Sequence, residues 1–349
     1  MSRWSPFTVL AVMVVCLAIV PAPLIEAGSR VAPVSTASSP AGNTIVVPPG
    51  ANALTSAITA AGKGGTVQLQ TGLHTESGTV LIMQSVSLVG EAGAILESTT
   101  PLGTSFPLPI QPAIHVRGAA DVRIQGLTLR PTPGTEGNYA IALENAPRAI
   151  VTGNAMTGYQ GGVMVELSND VQISSNDIQV GTSFPEHGIV IMNGRGARVM
   201  DNRASGATFA IWACDRGGFA SGNQVSGSFV GLILCKVPPM SYEISGVPRG
   251  SSSPGQGWTV RENTATGNTW GYLVIDDANT NSLSRNSASG NFLYDMELTS
   301  DTYRFGFLTP ASFDNTVHER NMTIKDCGNN NRIIGSGATI VDNNTDPCF

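Results

Sequence analysis

Six short phrases of one type recur through the middle of the chain, each opening on an asparagine. They are "NAMTG" at Asn154, "NDIQVG" at Asn176, "NRASG" at Asn202, "NQVSG" at Asn223, "NTATG" at Asn263 and "NSASG" at Asn286. The gaps between them are 22, 26, 21, 40 and 23 residues. A unit this short cannot bury an apolar face alone, so successive units must stack. The gap of 40 is one unit plus an insertion at residues 236–255, and the gap of 26 holds the extra "SFPEH" before Gly188.

Ahead of each asparagine comes a strand phrase: "AIHVR", "AIALE", "GVMVE", "GIVIM", "AIWAC", "GLILC", "GYLVID" and "LYDMEL". Alternate side chains in such a phrase point to opposite faces. A second apolar pair, such as Val171 and Ile173, precedes most of the asparagines. Leucine-rich repeats share the period but need a leucine frame that is absent here. Short strands with no helix between them predict a parallel β-helix, one unit per coil, with coils stacked at about 4.8 Å. The recurring asparagine then forms an internal ladder at a tight turn, where its side chain hydrogen-bonds to neighbouring backbone.

Composition agrees with a turn-rich β protein. Charged residues make up 13% of the chain, about half the usual share, and glycine occurs 40 times. The net charge is −6 and no Lys/Arg cluster occurs, which argues against nucleic acid as a partner. Residues 7–20, "FTVLAVMVVCLAIV", are an apolar run that suits a signal-peptide core better than a membrane span. The domain reading is a signal peptide over 1–27, a Ser/Pro/Ala linker over 28–44 and one repeat domain over 45–349. It implies a secreted or periplasmic monomer with no membrane insertion after cleavage. Export favours disulfides among Cys214, Cys235, Cys327 and Cys348, and each of the pairs 214/235 and 327/348 is 21 residues apart, one coil.

The entry to the repeat is "ANALTSAITAAGKGGTVQLQTGLHTES", an amphipathic helical pattern followed by a strand. Such a helix caps the open end of a stack. Together with the asparagine-ending coils it resembles the right-handed parallel β-helix proteins of the pectate-lyase type, which include polysaccharide lyases, mannuronan epimerases and NosD-like periplasmic proteins. The resemblance covers residues 45 to 345 and speaks to fold rather than chemistry. The Asp-Pro-His-Asp signature of the epimerases and the Asn-Thr-Asp motif of polygalacturonases are absent. The expected fold is therefore all-β: a single-stranded right-handed parallel β-helix with an N-terminal helical cap and an irregular C-terminal cap.

If the strand phrases stack in register, their outward residues form two columns. One reads His115, Ala142, Met164, Val190, Trp212, Ile233; the other reads Arg117, Glu144, Glu166, Met192, Cys214, Cys235. Glu144 and Glu166 stand one coil apart, so their carboxylates stack at about 5 Å and need compensation. Arg117, a calcium ion or a shared proton each supplies it. The resemblance implies a polysaccharide in the groove along this sheet. A lyase or epimerase must neutralise a uronate carboxylate, through Arg117 or a cation, and remove a proton, through His115 or His187. A glycosidase built on the carboxylate pair is a further option. Trp212 and Met164 are candidate sugar platforms, or else lie under the 236–255 insertion. The plainer readings are a solvated surface for the Glu pair and an inert loop position for His187. The rival class is a non-catalytic adhesin or glycan-binding protein. No metal site is assigned by spacing, although calcium fits the chemistry.

Overall fold

The computed structural model describes residues 42–98, 111–181, 185–236, 254–300, 302–304, 307–335 and 337–341. The expected signal peptide, all of the expected linker but residues 42–44, most of the 236–255 insertion and Cys348 lie outside them. The described residues belong to one compact unit, Pro40–Phe349. Three parallel sheets of 12, 10 and 11 strands wind as a solenoid, beside one two-stranded antiparallel ribbon. The strand phrases form the 11-stranded front sheet. The strands that follow, such as Gln172–Ser174, form the 12-stranded middle sheet. Those after each asparagine, such as Asp177–Gln179, form the 10-stranded back sheet. This is the parallel β-helix that the repeat predicts.

One helix occurs among the described residues, Leu54–Ala61. It buries Leu54, Ala57, Ile58 and Ala61 on the first coils, as the amphipathic pattern requires for a cap. The Leu54 amide donates to Glu76 Oε1 at 2.9 Å. The interior is a column of aliphatic side chains, one per strand, such as Ile141, Val163, Ile189 and Ile211 in the front sheet.

All six repeat asparagines are buried and joined. Each Nδ2 donates to the Oδ1 of the next: Asn154 to Asn176 at 3.0 Å, Asn176 to Asn202 at 2.9 Å, Asn202 to Asn223 at 3.0 Å, Asn223 to Asn263 at 2.8 Å and Asn263 to Asn286 at 2.9 Å. Glu319 ends the ladder and accepts from the Asn286 side chain at 2.5 Å. Burial pushes the Glu319 carboxyl up to about 7, against the bonds from Asn286. A second ladder, Asn281–Asn315–Asn331, was not expected from the sequence. Its members sit outside the six-phrase pattern because it starts only in the late coils.

Candidate functional site

The front sheet places both predicted columns in register. Arg117, Glu144, Glu166, Met192 and Cys214 are successive neighbours. So are His115, Ala142, Met164, Val190, Trp212 and Ile233. The second line continues through Leu273, Glu297 and Lys325. Glu297 therefore takes the late column position, while Asp276 and Asp277 stand in a turn at positive φ.

The columns bring three charged groups together at one end. Glu144 Oε2 lies 3.1 Å from His115 Nε2 and 3.4 Å from Arg117 Nε. Glu144 is buried, whereas the Arg117 side chain is 59% exposed and free to reach a ligand. Burial lowers the His115 pKa, with Glu144 opposing and Arg117 assisting. The imidazole is therefore neutral at pH 7. With the Nε2–H donated to the Glu144 carboxylate, Nδ1 is left as a lone pair able to take a proton. Glu166, the register neighbour of Glu144, is fully buried.

The structure moves His187 out of the loop where the sequence placed it. It opens the front-sheet strand His187–Arg195 and is buried. Burial drives its pKa down to about 3. Its Nδ1 lies 2.7 Å from the Tyr139 hydroxyl, which donates to Glu186 at 3.0 Å. Its ring stands 4.6 Å from Trp212 and 5.6 Å from Phe209. Three register steps separate it from His115, about 14 Å, so the two histidines do not share a site.

Trp212 is partly exposed and Met164 is not exposed at all. Met164 belongs to a second apolar cluster on the outer face with Val190, Met192, Ile233 and Leu273. Cys214 and Cys235 are joined in a disulfide, and the Trp212 indole N–H contacts Cys235 Sγ. Cys327 is also disulfide-bonded, and its expected partner Cys348 lies outside the described residues.

Sequence reasoning missed a third outward column at the start of the front strands. Tyr139, His187, Phe209, Trp270 and Tyr294 share it, interrupted by Gly161 and Val230. The signal was legible: an aromatic or imidazole ring precedes the strand phrase in "YAIALE", "HGIVIM", "FAIWAC" and "WGYLVI".

No curated protein matches the sequence. Among solved structures, the tailspike protein of E. coli bacteriophage HK620 is similar at TM-score 0.55 and 12% identity, over 81% of this chain and 58% of that one. The family 28 exopolygalacturonase of Yersinia enterocolitica is similar at TM-score 0.53 and 11% identity, over 83% of this chain and 72% of that one. The Dettilon tailspike protein follows at TM-score 0.46 and 13% identity, over 84% of this chain and 64% of that one. The chain thus spans less than two thirds of either tailspike, and identities this low establish the fold alone. A family model described as periplasmic copper-binding protein (NosD) matches residues 109–292. That is 184 of the 349 residues, and the chain belongs to the NosD family.

Proposed function

We propose that the protein is an exported carbohydrate-active β-helix, which lays an extended polysaccharide along the outer face of its front sheet and acts on it at Arg117, His115 and Glu144. The observation that carries this reading is the buried Glu144 carboxylate held by both His115 and Arg117. Exposed Arg117 suits a uronate carboxylate, which a guanidinium binds as a fork. Neutral His115 suits removal of the adjacent carbon-bound proton, with Glu144 stabilising the imidazolium that forms. Those steps are lyase or epimerase chemistry. Farther along the same face, four register steps from His115, the partly exposed Trp212 and Phe209 offer stacking surfaces. Export is supported by the apolar N-terminal run, the disulfide and the family's periplasmic description.

The test is to incubate the chain with polygalacturonate and with alginate, with and without calcium. Unsaturated uronate is read by ultraviolet absorbance and epimerisation by NMR. Glu144→Gln is expected to lower the rate by about a hundredfold or more. Unchanged turnover in that variant would falsify the assignment. A second reading, a glycan-binding protein without turnover, is favoured by the burial of Met164, Val190 and Met192. These residues leave the middle of the columns no reactive group. Polymer binding with neither product identifies that case.

Copper is the metal in the family's description, and the described residues do not fit it. No group of three or more His, Cys, Asp or Glu is placed to hold a metal among them. The four histidines of the chain are scattered: His74 on the back sheet, His115 and His187 three coils apart on the front sheet, and His318 on the middle sheet. The disulfide removes Cys214 and Cys235 as thiolate ligands. No step of the proposed reaction runs through copper.

A further inference from the structure

The outer face of the middle sheet differs from that of the front sheet. From the strand Arg123–Gln125 to the strand Arg332–Ile333, its outward positions hold Arg123, Arg198, Arg261, His318 and Arg332. No outward position of these strands holds a carboxylate. The remaining positions are mainly Ser, Thr and Gln, with Ile150, Met200 and Phe219 as the apolar exceptions. The chain as a whole is at −6, so a carboxylate-free cationic face is not what its composition gives by default.

Nor are these arginines neutralised elsewhere. None of the four arginines forms an ion pair with a carboxylate among the described residues. Arg198 and Arg261 instead stand 5.3 and 5.1 Å from the centre of the Phe219 ring. That ring sits between them in coil order, since Arg198 pairs with Phe219 and Arg261 with Ser221. The Arg261 Nε–H is enclosed and has no hydrogen-bond partner among the described residues. Two arginines are thus braced on one aromatic ring, two coils apart, with guanidinium edges to spare.

The turns on either side do carry carboxylates, at Asp121, Asp170, Asp201, Glu262 and Asp314. Asp121 is neutralised by Arg148 at 2.7 Å and Glu262 by Arg285 at 3.3 Å. The same face ends in a groove of about 990 Å³, lined by Ser282, Ser284, Arg285, His318, Arg320 and the Glu319 carboxyl among others. A line of cations therefore leads along the solenoid axis into a polar groove.

We infer that the outer face of the middle sheet binds an anionic polysaccharide chain, running along the solenoid axis across Arg198 and Arg261 towards the groove at His318 and Arg320. One coil advances by about 4.8 Å, close to the length of one sugar ring in an extended chain. Acidic groups repeated along such a chain meet an arginine every two or three coils, while Ser, Thr and Gln offer hydrogen bonds to its hydroxyls. The cations are too sparse for nucleic acid, whose phosphates carry one charge per about 1.7 Å of duplex. This surface is separate from the front-sheet site and does not depend on the reaction proposed there.

Binding of the full chain to sodium polygalacturonate is the test, measured by affinity electrophoresis at low and high salt, with fully methyl-esterified polymer and an oligo-dT strand as comparison ligands. The wild type is expected to prefer the free acid and to lose that preference as salt screens it. Arg198→Gln/Arg261→Gln is expected to bind about five- to tenfold more weakly, with thermal unfolding unchanged. Arg198→Lys/Arg261→Lys is expected to recover most of the loss, which excludes a folding defect. Arg203→Gln, on the back sheet, is expected to change nothing although it also removes a positive charge. Three results overturn the inference: equal binding of the ester, wild-type binding by the Gln double variant, or oligo-dT binding as tight as polygalacturonate.

Discussion

The front and middle sheets are built from the same coils at the same pitch, yet their outer faces have opposite character. On the front sheet the outward positions of the central coils are Met164, Glu166, Val190 and Met192, all fully buried. On the middle sheet the outward positions of the same coils are Gln172, Ser174, Arg198 and Met200, and most of them keep contact with solvent. The inner faces of both sheets are alike, aliphatic and fully buried, as at Ile189 and Val199. A solenoid thus needs only its inward positions to stack, and each outer face is free to take its own chemistry. The front face has become a second apolar cluster with carboxylates at one end. The middle face has become a polar, cationic surface.

The largest loss is expected inside the solenoid, at the turn that joins the middle sheet to the back sheet. Asn202 donates to Ile173 O at 2.9 Å and to Asn223 at 3.0 Å, and accepts from the Asn176 backbone and side chain. Asn202→Ala leaves buried polar groups unmatched in two coils, and a loss of about 3 to 4 kcal/mol is expected by urea unfolding. If the ladder is mere decoration, the loss will be below 1 kcal/mol. Next in size is the front face itself. Met164→Ala is expected to cost about 2 to 3 kcal/mol in the same assay, as a core truncation does, although Met164 points outward. A cost near zero would mean that the front face is open in solution and available along its whole length.

Asp215 sharpens the boundary between the two sheets, because it follows Cys214 and turns towards the middle sheet. It is fully buried. Burial pushes its carboxyl from 3.8 up to about 7, while the Trp258 indole pulls the other way. Between those values the folded chain holds a proton that the unfolded chain has lost. Its contribution therefore makes stability fall as pH rises from about 4 to about 7, by at most about 1.4 kcal/mol per pH unit, and level off above. Asp215→Asn should remove that slope, so the variant gains on the wild type at pH 8 relative to pH 5. Parallel pH profiles for the two proteins would refute the ionisation argument. The smallest effect is expected on the middle face, where Gln172→Ala should stay within about 0.5 kcal/mol of the wild type in urea unfolding. A larger loss would show that this face is structural rather than a free surface.

The period of the asparagine phrases was enough to determine the solenoid, the ladder and the register of the outward columns. That follows from physics: a residue repeated once per coil must occupy the same place in every coil, so Arg117, Glu144 and Glu166 had to align. The Cys214–Cys235 pairing was legible for the same reason. Burial was not legible, because whether an outward position meets solvent depends on what packs over it, which a strand's own pattern does not encode. Met164 and His187 show this, one a candidate platform and the other a presumed loop residue, and both enclosed. The His115–Glu144 contact and the Phe219 ring between Arg198 and Arg261 also needed the tertiary structure. Alternation along a strand tells which face a side chain takes. Only the packed coils decide which neighbour it touches there, because rotamer and burial are settled by contacts distant in sequence.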